Sequence, residues 1–425
     1  MTDATINNCL AILEDELVPA LGCTEPIAVA YGAAKVREAL GQFPIHLTAY
    51  CSGNIVKNVK AVTVPNSNGL RGIDAAATLG AVGGRPEKLL EVLNDVTEDD
   101  VLRTRELLDQ GFCSTRLASN VDKLYLRIVA EGEGCTASVT IQGHHTNITQ
   151  ITRNDQILYE IPFTSGETDT RKGDRSLLTM ADILAFADAV DPAQLERVLS
   201  RQIECNLSIA QEGLSTRYGA GVAMALLDGT ESSPFLTAKA KAAAASEARM
   251  AGCALPVVIN SGSGNQGITV SVPVVEYAKN MGIPQEKMYR ALAVSNLTSI
   301  HLKYYIGDLS AFCGAVTAAC GVGAALAYLN NGGYDMVADT ITNTLASVSG
   351  IFCDGAKPSC AAKVASALDM AYLSYRMARQ NRVFNPGEGV VGGDVEQTIR
   401  SIGHIGKEGM DEADQEILRI MLETN

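Results

Sequence analysis

The hydrophobic periodicity of this chain changes partway along it, and that change constrains the fold more than any other feature. Between residues 42 and 165, apolar and polar residues alternate in several short runs, which is the pattern of half-buried strands. From residue 177 onward, apolar residues recur every three to four positions, as they do along one face of a helix. Two helical patterns, Ile6–Pro19 and Thr24–Leu40, precede the strands. The sequence therefore predicts an α+β fold, with an N-terminal helix pair and a sheet domain followed by a mostly α-helical C-terminal domain.

A polar stretch separates the two patterns. Residues 165–176 contain no apolar side chain, and such composition is typical of a linker. We predict an α+β domain over residues 1–165, a linker over 166–176 and a helical domain over 177–425.

Composition narrows the class of function. The chain has 425 residues, a formal net charge of −14 and no basic stripe that would neutralise nucleic-acid phosphates. The N-terminal residues lack the basic start and apolar run of a signal peptide, and no apolar stretch reaches the length of a bilayer span. We therefore expect a cytoplasmic protein that binds neither nucleic acid nor membrane. In that reducing compartment, the eleven cysteines are expected to be free thiols or ligands rather than disulfides.

Two cysteines in the second half enclose a turn that leads into a helix. Between Cys353 and Cys360 lie an Asp-Gly and a Lys-Pro dipeptide, both of which signal turns. Because proline suits the first turn of a helix, we predict a helix over about 359–379 with Cys360 in its first turn. Free N–H groups and the helix dipole favour a thiolate there, and thiolates bind metal ions and iron–sulfur clusters. The pattern also fits two small buried residues in an alanine-rich core.

A third cysteine lies just before the second predicted helix. In the run Gly22-Cys23-Thr24-Glu25-Pro26, Thr24 has the chemistry of an N-cap and Pro26 suits the first turn. A thiol ahead of a helix N-terminus is expected to have a lowered pKa. Alternatively, Cys23 fills space at a tight turn.

Two polar loops are candidates for binding a carboxylate. The first follows a predicted strand and contains Ser52 and Asn54; the second spans residues 260–267 and contains Ser261, Ser263 and Asn265. Small residues with free backbone N–H groups can cradle an anion. Both loops also fit ordinary turns, and the second does not match the spacing of dinucleotide or P-loop motifs.

Three motifs, taken together and in this order, resemble the L-cysteine desulfidase family. They are Gly22–Pro26, Phe312-Cys313-Gly314, and Cys353–Lys357 followed by Cys360. The family consists of [4Fe–4S] enzymes related to the α-chain of bacterial iron–sulfur L-serine dehydratases, and the resemblance covers essentially the whole chain. It implies that Cys313, Cys353 and Cys360 hold the cluster, that one iron stays open, and that Cys23 is the catalytic base.

The same resemblance implies a carbon–sulfur lyase that converts L-cysteine into pyruvate, ammonia and hydrogen sulfide. Such an elimination needs a base at Cα and a Lewis acid for the leaving sulfur, which an open iron would be. The substrate carboxylate needs donors, for which Ser52, Asn54 and the 260–267 loop are the candidates. The small-residue helices with glycine-rich ends predict at least a dimer.

Other functions fit parts of the pattern. L-serine, or another β-substituted amino acid, is an alternative substrate. A pyridoxal-phosphate β-lyase would use Lys303 or Lys357 as its Schiff-base lysine and the 260–267 loop for the phosphate. A non-catalytic protein is the third alternative, with either a structural zinc site or a cluster used as a redox or iron sensor. The zinc site would need a fourth protein ligand, for which Cys320 or His301 is available.

Overall fold

The N-terminal part of the protein contains the sheet. A computed structural model describes residues 2–163, 172–229, 231–307 and 309–423. In chain order, the first elements are α1 (Asp3–Glu16), β1 (Pro19–Leu21), α2 (Thr24–Leu40), β2 (His46–Cys51), α3 (Gly53–Val59), α4 (Ile73–Gly83), a 3₁₀ segment (Pro86–Glu91), α5 (Glu98–Asp109), β3 (Cys113–Leu117), β4 (Tyr125–Gly132), β5 (Cys135–Gln142), β6 (Ile148–Arg153) and β7 (Gln156–Glu160).

The main sheet has the strand order β3-β2-β4-β5-β6-β7. β2 and β3 pair in parallel, and the remaining neighbours pair antiparallel. Along β4, Leu126, Ile128 and Ala130 alternate with more exposed residues and face α2. Gly32 of α2 allows the close approach, since a Cβ there would lie 3.2 Å from Ile128. The apolar residues of the alternating pattern in β4 therefore form part of the buried face of this sheet.

The C-terminal part is almost entirely helical. A 3₁₀ segment (Arg175–Leu177) leads into α6 (Met180–Ala189), α7 (Pro192–Ser215), α8 (Val222–Leu227), α9 (Pro234–Met250), β8 (Pro256–Val258), α10 (Gly264–Asn280), α11 (Gln285–Ile306), α12 (Gly314–Leu329), α13 (Tyr334–Val348), α14 (Cys360–Ala378), α15 (Val395–His404), a π-helical turn (Ile405–Gly409) and α16 (Asp411–Glu423).

Helix α12 occupies the centre of this helical part. It packs against α10, α11, α13 and α14, and most of its residues are buried alanines, glycines and valines. A Cβ at Gly321 would lie 2.3 Å from the carbonyl oxygen of Ser295, and one at Gly323 would lie 2.8 Å from Thr340. The small side chains thus set how closely the neighbouring helices approach.

A short second sheet joins the two parts of the protein. β1 pairs antiparallel with β8, with Pro19 opposite Val258 and Leu21 opposite Pro256. The Thr24 hydroxyl then donates to the carbonyl of Gly262 at 2.9 Å. These contacts hold the start of α2 beside the loop that precedes α10.

The predicted α+β class with a helical C-terminal part is confirmed. Helix α10 has no clear helical periodicity in the sequence, because it contains Pro273 and a mixed apolar pattern that burial on all sides permits. The helix that follows Phe312 begins at Gly314, since the preceding residues pair with another segment. In the part of the chain described here, no helix is long and apolar enough to cross a membrane.

The predicted linker is only partly covered by the described residues. Residues 164–171 lie outside them. The described remainder lies against α1, where the Gly173 N–H donates to Asp15 at 2.9 Å and Arg175 forms an ion pair with Glu16 at 2.9 Å.

Candidate active site

Four helices begin at the wall of one cavity. Cys23 is the N-cap of α2, Ser263 the N-cap of α10 and Cys313 the N-cap of α12, while Cys360 is the first residue of α14. All four residues line the cavity. Each helix N-terminus carries a partial positive charge and N–H groups without intrahelical acceptors. The cavity is therefore suited to anionic groups.

Two of the predicted cluster ligands lie side by side on paired backbone segments. Phe312 and Phe352 form an antiparallel bridge. The Cys313 N–H donates to the Ile351 carbonyl at 3.0 Å, and the Cys353 N–H donates to the Ala311 carbonyl at 2.5 Å. Cys313 and Cys353 are 40 positions apart in the sequence, but both line the same cavity.

The third predicted ligand is positioned by the turn between Cys353 and α14. The Cys360 thiol lies 3.7 Å from the carbonyl oxygen of Gly355. Gly355 has φ +89°, and a Cβ there would lie 2.3 Å from the backbone oxygen of Lys57, so only glycine fits without strain. Asp354 pairs with Lys363 at 2.5 Å and also with Lys357, which closes the turn.

The electrostatics of these thiols bear on the group they would hold. Burial, followed by the neighbouring Cys353, raises the pKa of Cys313 to about 12. Burial also raises the pKa of Cys360, against the opposing effect of Lys357. The predicted low pKa of Cys360 at its helix N-terminus is therefore wrong for the protein without a bound metal. Partly buried thiols that repel one another as thiolates are a donor set that a cationic metal centre would stabilise, with release of protons.

The arrangement of the three cysteines bears on the kind of metal centre that they would hold. Among the described residues, no three His, Cys, Asp or Glu side chains lie close enough together to bind one ion. An iron–sulfur cluster takes each cysteine on a different iron, so its ligands surround a volume instead of converging on a point. Three cysteines that line one cavity are a donor set that would suit such a cluster.

Cys23 lies on the same cavity but in a different electrostatic state from the one predicted. It is 1% exposed and packs with Val62, Met250 and Cys360. Burial raises the pKa of Cys23 to about 12, even though Arg249 acts to lower it. Cys23 itself is the N-cap, where Thr24 was predicted, and its side chain makes no capping hydrogen bond. Desolvation therefore raises the pKa of the Cys23 thiol by more than the helix N-terminus lowers it.

Beside Cys23 lies a carboxylate–imidazole pair that the sequence analysis did not identify. The Glu25 carboxylate accepts hydrogen bonds from Asn58 at 2.9 Å and Thr24 at 3.1 Å, and lies 3.8 Å from Nε2 of His145. Burial opposes ionisation, but the His145 ring and Arg249 hold the pKa of Glu25 at about 2. Nε2 of His145 is buried without a hydrogen-bond partner among the described residues. This imidazole beside a carboxylate is a second group that can move a proton.

The predicted carboxylate-binding residues separate into two groups. Asn54, Ser261, Ser263 and Asn265 line the cavity. Ser52 does not line it: Ser52 caps α3, and its hydroxyl donates to the Lys123 carbonyl at 2.6 Å.

The residues that the alternative functions require lie in different places. Lys303 is buried and lines the cavity, whereas Lys357 is bound to Asp354. Cys320 is fully buried within α12, and the buried His301 ring bonds to Glu396 at 2.8 Å. Neither Cys320 nor His301 lines the cavity, so neither lies beside the other three cysteines as a fourth zinc ligand.

Comparison with known proteins identifies the family. A model of the serine dehydratase alpha chain family matches residues 87–419. A UPF0597 protein of Desulfitobacterium hafniense is 47% identical over 97% of this chain and 96% of its own length. Another, from Lachnoclostridium phytofermentans, is 48% identical over 97% of this chain and 98% of its own length. This chain therefore belongs to the serine dehydratase alpha chain family.

Proposed function

We propose that this protein is a [4Fe–4S]-dependent L-cysteine desulfidase, a lyase that releases sulfide from L-cysteine by β-elimination. The observation that carries the proposal is the single cavity lined by Cys313, Cys353, Cys360 and Cys23, at which four helix N-termini meet. Membership of the serine dehydratase alpha chain family supports a lyase of the iron–sulfur type.

Cys313, Cys353 and Cys360 are the proposed cluster ligands. When bound, the cluster supplies a Lewis-acidic iron without a protein ligand, because three thiolates leave one position open. The protein holds these ligands with the Phe312–Phe352 bridge and the Gly355 turn, and balances their charge with Lys363 and the helix N-termini.

The reaction itself requires the movement of one proton from Cα. Cys23 is the proposed base: it takes the Cα proton, the C–H electrons form the Cα–Cβ double bond, and the Cβ–S bond breaks to release sulfide. The resulting aminoacrylate tautomerises to an imine, and water hydrolyses it to pyruvate and ammonia. Because burial keeps the Cys23 thiol protonated at neutral pH, the Glu25–His145 pair is the alternative base.

The two bases can be separated by mutation. If Cys23 is the base, Cys23→Ser should lose more than about 100-fold in kcat, while His145→Asn should lose much less. The reverse order would assign the proton transfer to His145.

The proposal as a whole is tested on anaerobically purified protein. We expect about four iron and four acid-labile sulfide per chain, with pyruvate and sulfide released from L-cysteine in equal amounts. Cys353→Ala should lose both the iron and the turnover. Cys320→Ala, a buried cysteine outside the cavity, is the matched control and should keep both. Zinc in place of iron, or a borohydride-reducible chromophore without labile sulfide, would contradict the proposal.

L-serine dehydration is the second candidate function, favoured by the family to which the chain belongs. It uses the same residues and differs only in the leaving group, hydroxide instead of sulfide. The ratio of kcat/KM for L-cysteine and L-serine distinguishes the two, and a ratio below one would assign the protein to serine.

A further inference from the structure

Arg249 is a buried cation with no carboxylate partner among the residues that the structure describes. It lies in the last turn of α9, is 3% exposed and lines the cavity. Among the described residues, Arg249 forms no ion pair with a carboxylate, and its one hydrogen bond runs from Nε to the Gly22 carbonyl at 3.0 Å. Since a guanidinium carries five N–H donors, most of its bonding capacity remains available.

Three other buried cations among the described residues are paired with carboxylates. Lys57 pairs with Asp414, Lys239 with Asp369 at 2.6 Å, and Arg175 with Glu16 at 2.9 Å. Removing a charge from water costs several kcal/mol unless a partner compensates it. The contrast with Arg249 indicates that its partner is a bound anion.

The nearby carboxylate of Glu25 does not fill this role. Its oxygens accept from Thr24 and Asn58, and it faces His145. Arg249 acts on Glu25 only through space, beyond ion-pair distance.

The backbone around Arg249 is built to admit it. A Cβ at Gly264, the first residue of α10, would lie 2.2 Å from Nε of Arg249, so a larger residue there would displace the guanidinium from its present position. The guanidinium therefore lies against the first turn of α10, whose N–H groups have no intrahelical acceptors. An arginine beside a helix N-terminus is a strong arrangement for a carboxylate, since both offer N–H donors and positive charge.

We propose that Arg249, with the first-turn N–H groups of α10, binds the α-carboxylate of an amino-acid substrate. The inference rests on the proposed function for the nature of that substrate. Arg249 bonds to Gly22, the residue before Cys23. A carboxylate held there brings the adjacent Cα next to the proposed base. The substrate class is accordingly an α-amino acid with a free carboxylate, and esters or amides of it are excluded.

The test measures binding without turnover. L-alanine has the carboxylate but no leaving group, and L-alaninamide has the same ammonium without the carboxylate. By isothermal titration calorimetry, the wild-type protein should bind L-alanine at least about 30-fold more tightly than L-alaninamide. In Arg249→Gln the preference should fall below about 3-fold, and in Arg249→Lys it should be intermediate, because lysine cannot bind in a bidentate manner.

A matched control addresses folding. Arg37 is a half-buried arginine that donates to the carbonyls of Ala81, Val82 and Gly84 away from the cavity. Arg37→Lys should leave the preference for L-alanine unchanged. If both Arg249 variants fail to fold, the wild-type comparison still decides, since equal binding of L-alanine and L-alaninamide overturns the inference. An unchanged preference in folded Arg249→Gln also overturns it.

The design separates this inference from the proposed function. Arg249-dependent binding of L-alanine by a protein that does not act on L-cysteine would refute the desulfidase proposal and retain the carboxylate site. Turnover of L-cysteine with an unchanged KM in Arg249→Gln would retain the desulfidase proposal and refute the carboxylate site.

Discussion

Replacing Asp414 by alanine is expected to release the C-terminal helix α16 from the rest of the protein. Among the described residues of α16, Asp414 alone is buried. Its carboxylate forms an ion pair with Lys57 and accepts a hydrogen bond from Asn54 at 2.6 Å. The side chain of Lys57 is 2% exposed, so loss of Asp414 leaves a desolvated cation beside the backbone of Cys353.

The size of the effect follows from this burial. Removing one partner of a buried ion pair costs about 3–5 kcal/mol. We take the lower end, about 3 kcal/mol, because Lys57 regains water once α16 moves away. That free energy corresponds to roughly 100-fold in the equilibrium between the bound and released helix. The rest of the protein should stay folded, since its apolar core does not depend on α16.

Native-state hydrogen exchange of peptides from residues 411–423 measures this release. Protection there should fall by up to roughly 100-fold in Asp414→Ala, with little change in the sheet. Asp411→Ala is the matched control: its ion pair with Lys123 spans 2.6 Å, but the two side chains are 48% and 41% exposed. Such an exposed pair contributes about 1 kcal/mol or less, so the control should change protection by no more than about 5-fold. Equal effects of the two substitutions would refute the reasoning.

Two further predictions concern stability near the cavity. The pKa of Glu25 is about 2 in the folded protein against an ordinary value of 4.5, so its ionisation adds stability above pH 4.5 that is lost as the pH falls toward 2. Urea unfolding should therefore show Glu25→Gln to be less stable than wild type by about 3 kcal/mol near pH 6, with a difference that shrinks below pH 4; a pH-independent difference would contradict this. Gly355→Ala should destabilise by about 2 kcal/mol or more, because the residue has positive φ and its Cβ would meet the Lys57 backbone. Gly389→Ala also has positive φ but open space around it, and a loss as large there would show that the close contact is unimportant.

The cysteines of the site could be predicted because each has a local signature. Cys23 and Cys360 stand at positions where turn residues precede a helical pattern, and Cys313 lies within a recognisable short motif. The polar loop at residues 260–267 is likewise apparent from its small residues. These signals depend only on residues that are close together in the sequence, so they can be identified without the structure.

The charged residues of the cavity could not be predicted in this way. Locally, Arg249 is a cation in the last turn of a helix, where it complements the dipole like any other. Glu25 and His145 come from distant segments that meet only in the folded protein. Nothing in the spacing of these residues signals that they share a cavity, because their proximity depends on the pairing of β1 with β8 and on the packing of α9.

The sequence by itself determined the class of fold, since side-chain periodicity reflects which face of each element is buried. It also predicted that Cys23 and Cys360 lie at helix starts, whereas the position of Cys313 at the start of α12 emerged only from the structure. The tertiary structure decided the chemical state of those cysteines. A helix N-terminus lowers the pKa of a thiol by a local effect, whereas burial raises it by removing water, and burial depends on elements from the whole chain. At Cys23 the effect of desolvation on the pKa exceeds that of the helix N-terminus, and both this high pKa and the position of Arg249 nearby are apparent only in the folded molecule.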